Sequence, residues 1–311
     1  MSHSGVIRVG LIGLGDIARK VYLPLLSRHD QVEVAGVLSQ SPATVQRAIT
    51  SYRFPKGTTD LHELLSWGLD AVFVHSPTDT HYEIVTRCLE AGVSVYVDKP
   101  LSYHLEESRR MAELAEDKGL LLGVGFNRRY APMYAAAKAW LEKSGGISHC
   151  LAVKHRTKLQ NCSSRETVYD DLIHMLDLLL WLGGSDYELL QASLKADDEG
   201  RMLRSSGMLG WNGGVSAMFS MVRDAGGDLE KLELHGNGRS VEVTDMERAV
   251  LYEKGALPRT QGFGSWDTIL ERRGFSGAVN HFLNNINTPE QCGISASAVL
   301  PSHELAAKLA D

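Results

Sequence analysis

Asp170 and His174 stand four residues apart in the run DDLIHMLDLLLWL (170–182), and in a helix that spacing puts a carboxylate and an imidazole on one face. Asp171 and Asp177 lie three residues to either side of His174. A histidine titrates near neutrality and a neighbouring carboxylate can fix its tautomer, so this pair suits proton transfer. The simpler alternative is a helix whose Leu172, Met175, Leu176 and Leu179 pack inward while its aspartates and histidine line the wet side. Zinc fits less well, because there is no HExxH and no cysteine ligand nearby. Lys99 is the second candidate. It follows an apolar run and precedes Pro100, where its ammonium could donate to a substrate oxygen and stabilise a developing alkoxide; on an open surface it would do neither. A cis bond at Pro100 would fix that turn. Arg128 with Arg129, and His155 with Arg156, are basic pairs at segment edges, suited either to an anionic ligand or to structural ion pairs.

These groups need a scaffold, and the chain opens with one. The apolar run Ile7 to Ile12 meets Gly13, Gly15 and Ala18, a GxGxxA pattern between a strand and a helix. Gly13 allows the turn, Gly15 lets a pyrophosphate approach the backbone, and Ala18 lets the helix pack closely. The phosphates then lie at the helix N-terminus. Pro24 should bend or interrupt that helix. The second β-type run, Val32 to Ser39, ends in Ser39-Gln40-Ser41 without the acid that grips the ribose 2′-OH of NAD. That leaves room for a 2′-phosphate near Ser39, Gln40 and Arg47, which favours NADP over NAD. Further strands end at HSPTDTH (75–81) and at DKP (98–100), with helical patterns between them. This alternation predicts a doubly wound parallel sheet whose ligand binds at the carboxyl ends of the strands.

Beyond Gly125 the pattern changes. Helices are expected over 131–143, 170–182, 277–285 and 296–309. β-type segments are expected at 147–155, 187–195, 213–222, 229–236, 239–245 and 247–252, with a glycine-rich loop over 255–267. Gly236-Asn237-Gly238 signals a hairpin. The expected organisation is a dinucleotide-binding α/β domain over 1–125, followed over 126–311 by an α+β domain with a large, open, mainly antiparallel sheet. One face of that sheet needs cover, which suggests a homodimer or homotetramer. The 311 residues are 43% apolar and 23% charged, an ordinary globular balance, and the net charge of −6 offers nothing general to nucleic acid or membranes. No apolar run has membrane-spanning length, and the four cysteines (Cys88, Cys150, Cys162, Cys292) are scattered. A reducing, cytoplasmic location is the expectation.

GLIGLGDIA (10–18), SPTDTHYE (76–83), AGVSVYVDKPLS (91–102), VGFNRRYAP (124–132) and DDLIHMLDLLLWL (170–182) resemble, in order and spacing, the Gfo/Idh/MocA family of oxidoreductases, and within it the MviM-type branch. The resemblance implies a Rossmann domain, a second open-sheet domain and NAD(P)-linked hydride transfer on the hydroxyl or ketone carbon of a sugar, cyclitol or related polyol. The family's lysine falls on Lys99, its aspartate on Asp170 and its histidine on His174. Its usual glutamate before the lysine is Asp98 here, and a frequent glycine after the aspartate is Leu172, which should narrow the pocket. The implied cofactor contacts are Gly13, Gly15, Asp16, Ile17, Ser39, Gln40, Ser76, Pro77, Thr78, His81, Asp98, Lys99 and Asn127. Lys99, Tyr130, Arg156, Asp170, His174 and Trp266 are the expected substrate contacts, with His281 a further candidate. His174 would take the hydroxyl proton, Asp170 would orient the imidazole and Lys99 would polarise the oxygen. Two other functions remain compatible: a glycosidase- or lyase-type enzyme using transient oxidation by NAD, and a non-enzymatic NAD(P)-binding regulator.

Overall fold

The computed structural model describes residues 5–310. Six parallel strands form the first sheet: β1 (Ile7–Ile12), β2 (Val32–Leu38), β3 (Gly57–Thr58), β4 (Ala71–Val74), β5 (Ser94–Val97) and β6 (Leu122–Val124), in the order β3-β2-β1-β4-β5-β6. The central strands are covered on both faces, so β4 and β5 are buried throughout and read as apolar runs rather than as alternation. Helices Pro42–Tyr52, Leu61–Leu65, His81–Glu90 and Leu105–Lys118 make the connections. Two begin with side-chain caps: Ser41 accepts from the Thr44 N–H and Asp60 from the His62 N–H. The strand order reverses between β1 and β4, which puts the ligand crevice of such a sheet at their carboxyl ends.

The second sheet has eight strands: β7 (His149–His155), β8 (Tyr187–Ala196), β9 (Met202–Trp211), β10 (Ser216–Val222), β11 (Leu229–Gly236), β12 (Arg239–Thr244), β13 (Arg248–Glu253) and β14 (Arg259–Gly262). Their order is β14-β13-β12-β11-β7-β10-β9-β8, antiparallel throughout except where β7 meets β10. The predicted hairpin joins β11 to β12 through Asn237 and Gly238, both at positive φ. Helices Pro132–Glu142 and Ile173–Gly183 pack on one face, against a core that includes Cys150, Ala152, Phe219, Leu232 and Leu234.

Several expectations need correction. Strand β9 is missing from the sequence reading because Gly207 interrupts its pattern; a Cβ there would lie 2.5 Å from the Phe219 ring, so close packing excludes a side chain. β14 lies in the stretch expected to be loop, as a short exposed edge strand. Segment Val279–Leu300 falls in one compact unit with the chain up to Gly125, not with the remainder of 126–311. The Phe282 ring meets Phe73 and Tyr96 edge-on, and the Val124 N–H donates to the Ile294 carbonyl at 2.8 Å. The helix expected to bend or be interrupted at Pro24 leaves regular α geometry just before it and then continues through it. The preceding turn, Ala18–Tyr22, widens to a π turn in which the Leu23 N–H reaches back to the Ala18 carbonyl.

Candidate active site

The two compact units carry different sets of the candidate residues. In the first, Gly13 has φ +85° and a Cβ on it would lie 2.5 Å from the Ser76 amide nitrogen, so only glycine lets this turn approach the end of β4. Nothing lies within 4 Å of a Cβ built on Gly15. That open backbone at the start of a helix fits a dinucleotide pyrophosphate. Ala18 is fully buried where the helix meets the sheet. Asp16 and Ile17 begin the helix; the Asp16 carboxylate takes Lys20 at 2.5 Å and Arg19 at 3.2 Å. Ser39 and Gln40 follow β2, and Arg19, Thr44 and Arg47 line a cavity of about 400 Å³ with Leu14 of the glycine turn.

At the ends of β4 and β5, two histidines organise the turns. His81 is buried, with Nδ1 2.9 Å from the Pro100 carbonyl oxygen and Nε2 3.0 Å from that of Ser76, so one ring ties the SPT turn to the DKP turn. Burial pulls its pKa down against those two carbonyl contacts. Ser76 is further held by the Thr80 hydroxyl, which donates at 2.7 Å, while Pro77 and Thr78 lead into a short 3₁₀ turn. The Lys99–Pro100 bond is cis. Asp98 lies 2.9 Å from Nδ1 of the fully buried His75 side chain. Burial opposes the Asp98 charge, but His75 and a hydrogen bond from Tyr22 hold its carboxyl below the usual range. Tyr22 stacks on His75 at 3.8 Å; burial and the Asp98 charge push its phenol well up.

The second unit holds Asp170 and His174 on one helical run. Its regular first turn, Ser164–Thr167, starts from a capping box between Ser163 and Glu166. The run then widens into a π turn, Val168–Leu172, and returns to α geometry over Ile173–Gly183. The wet-side alternative fails for His174 and Asp177, both buried. Asp177 accepts both guanidinium bonds of Arg129, at 2.8 and 2.6 Å, and one from the Ser302 hydroxyl. Arg128 is bidentate on Glu230, and Arg156 reaches the same carboxylate at 3.2 Å. Arg128, Arg129 and Arg156 therefore serve ion pairs, whereas His155 makes none among the described residues.

The remaining expected contacts are dispersed. Asn127 is buried and donates to the Arg273 carbonyl at 2.7 Å. Tyr130 sits half-buried against Gly277, whose Cβ would come within 2.8 Å of it. Trp266 lies in the loop after β14 and is 95% exposed. His281 accepts from the Gly293 N–H. The sequence reading missed His75, Lys154, Arg223 and Glu230; for the last three, a period-2 pattern with a charge on the apolar face was the available signal. Among the described residues, no group of His, Cys, Asp or Glu is arranged to hold a metal ion, and no helix is long and apolar enough to cross a membrane.

A glycine-turn parallel sheet followed by a sheet-and-helix unit carrying an aspartate–histidine pair defines the class of NAD(P)-dependent dehydrogenases and reductases. Residues 7–126 match the model described as oxidoreductase family, NAD-binding Rossmann fold (Gfo/Idh/MocA), and residues 132–254 match the YceM-like C-terminal domain. YceM of Salmonella typhimurium is 37% identical over 294 residues, which cover 93% of this chain and 94% of that protein. The crystal structure of a dehydrogenase (MviM) from Clostridium difficile superposes with a TM-score of 0.90 at 33% identity, over 97% of this chain and 98% of that one. The scyllo-inositol 2-dehydrogenase (NAD(+)) of Bacillus subtilis is 26% identical over 262 residues, 80% of this chain and 74% of that enzyme. This chain belongs to the Gfo/Idh/MocA family of oxidoreductases, in its MviM-type branch.

Proposed function

We propose that this enzyme moves a hydride between NADP and a secondary carbinol or ketone carbon of a cyclitol or sugar. The substrate class is supported by the inositol dehydrogenase among its relatives. The observation that carries the proposal is the aspartate–histidine pair on the π-turn helix, in a chain whose other unit has an open glycine cradle. When bound, the nicotinamide supplies the hydride acceptor or donor. In the oxidative direction His174 takes the hydroxyl proton, Asp170 orients the imidazole, and the Lys99 ammonium stabilises the oxygen as charge develops on it. In reduction the same groups return the proton. Tyr130 and Trp266 are proposed to contact substrate, and Arg156 to contribute from beside Glu230.

The cofactor is proposed to be held by Gly13, Gly15, Asp16 and Ile17 at the pyrophosphate, by Ser76, Pro77, Thr78, His81, Asp98 and Lys99 along the strand ends, and by Asn127. The preference for NADP rests on Ser39 and Gln40, which stand where an acid would repel a 2′-phosphate, and on the guanidinium of Arg47 nearby. Met218 and Tyr252, 43% and 39% exposed on the sheet face opposite Phe219 and Leu251, support a dimer formed through the second sheet. The four unbridged cysteines support cytoplasmic residence.

The test is a panel of inositols, sugars and sugar acids offered with NAD and with NADP, followed by nicotinamide absorbance and repeated with Lys99→Met. Turnover that is lost in the variant while cofactor binding persists is the expected result. Undiminished turnover in Lys99→Met removes that residue from the mechanism, and tighter binding of NAD than NADP reverses the cofactor assignment.

A further inference from the structure

On the helix-covered face of the second sheet, three neighbouring strands place a charged side chain at one end. Glu230 of β11 pairs in register with Lys154 of β7, and Arg223 comes directly after β10, the parallel neighbour of β7. Strand alternation requires this orientation: Cys150, Ala152 and Lys154 share a face, as do Phe219, Met221 and Arg223, and as do Leu234, Leu232 and Glu230. All three charged residues are buried. From the helix side, Asp171 places one carboxylate oxygen on the Lys154 ammonium and the other on the Arg223 guanidinium. Arg128 grips Glu230 at 2.5 and 3.0 Å.

Burying so many charges is a poor route to stability, because desolvation offsets most of the attraction. Its location suggests another role. Asp171 lies inside the π turn Val168–Leu172, closed by the Ile173 N–H reaching the Val168 carbonyl. A π turn rotates the residues on its N-terminal side relative to those on its C-terminal side, and here Asp170 lies within the wide turn while His174 lies beyond it. The part of the backbone that sets their relative orientation is thus the part that Lys154 and Arg223 hold.

We propose that Lys154 and Arg223 are positioning residues for proton transfer, gripping Asp171 from the sheet so that the wide turn keeps Asp170 and His174 in working orientation. The proposal rests on the roles proposed for Asp170 and His174 in hydride transfer. The charged groups facing Lys154 are Asp171 from the helix, Glu230 from β11, Arg223 from the end of β10 and Arg128 from the 127–130 turn. Burial, reinforced by Arg128, brings Lys154 down to about 8 against the pull of Glu230 and Asp171. Above that pH Asp171 retains one cation instead of two. The grip then weakens within the range in which such an enzyme is assayed.

The experiment tracks the His174 ring by NMR in the full-length protein, assigned through His174→Asn, from about pH 6 to about pH 10. The wild type should show a second inflection near pH 8, reporting Lys154. Lys154→Arg keeps its charge over the whole range, so that inflection should vanish. Asp171→Asn should also abolish it although Lys154 remains, because the link is cut. A trace in Lys154→Arg or Asp171→Asn that superposes on the wild type overturns the proposal. These readouts need no turnover, so failure of the hydride-transfer reading remains a separate outcome. With a polyol that is turned over, the wild-type kcat should fall as pH rises through about 8 with KM unchanged, and Lys154→Arg should remove that limb. A limb common to both proteins would contradict the proposal.

Discussion

Two helices in this molecule widen into π turns, and they are held in different ways. Ala18–Tyr22, after the glycine turn, is held by packing: Ala18, Val21 and Tyr22 are buried, Tyr22 stacks on His75, and the nearby charges Asp16, Arg19 and Lys20 pair with one another at the surface. Pro24, which lacks an N–H, lies just beyond. Val168–Leu172 has no proline in its helical run and is held by buried ion pairs from the sheet to Asp171. The same backbone irregularity is therefore held mainly by packed side chains in one unit and by buried ion pairs in the other.

The comparison can be broken most severely at Asp171. Asp171→Ala leaves two buried cations short of their partner and should destabilise the second unit by about 3–5 kcal/mol, read by denaturant unfolding. A loss below about 1 kcal/mol would mean that the ion pairs anchor nothing. Acid should act in the same place. Burial opposes the Glu230 charge, but Arg128, Lys154 and Arg156 hold its pKa far below the ordinary 4.5. Its contribution is thus complete above pH 4.5 and is lost as pH falls toward the folded-state value, where the unfolded chain takes up the proton first. Unfolding curves from Glu230→Gln should show a shallower acid slope than the wild type; equal slopes would deny the coupling.

Smaller effects are expected in the first unit. Arg47→Ala should weaken NADP by about ten- to a hundredfold and leave NAD unchanged, measured by titration, since a charged contact to phosphate contributes roughly 1.5–3 kcal/mol. Equal weakening of both cofactors would place Arg47 elsewhere than at the 2′-phosphate. Tyr22→Phe keeps the stacked ring but removes a hydroxyl that contacts Tyr96 at 3.3 Å and hydrogen-bonds Asp98, so it should cost about 1 kcal/mol, read by denaturant unfolding.

Local rules made much of the fold legible. Gly13, Gly15 and Ala18 announced the first turn, apolar runs announced the central strands, and Asn237-Gly238 announced a hairpin. The losses occurred where tertiary packing overrides local pattern. Gly207 weakens the alternation of β9 because the Phe219 ring occupies its side-chain space, and the return of 279–300 to the first unit depends on Phe282 meeting Phe73 and Tyr96. At the site, Lys99, Asp170 and His174 could be picked out because residue type and spacing suggest chemistry. The Lys154–Asp171–Arg223 cluster could not, because its members come from segments far apart in the chain, and only the pairing of β7 with β10 and β11 brings them together.

Transfer of the label from a polyol deuterated at its carbinol carbon, analysed by mass spectrometry of the recovered nicotinamide cofactor, tests the central claim most directly. The account predicts one deuterium in the reduced cofactor with the wild-type enzyme and a loss of that transfer by about a hundredfold or more in His174→Asn, with cofactor binding retained. Unlabelled cofactor from a wild-type enzyme that binds NADP and converts the polyol, or full transfer in His174→Asn, would contradict it.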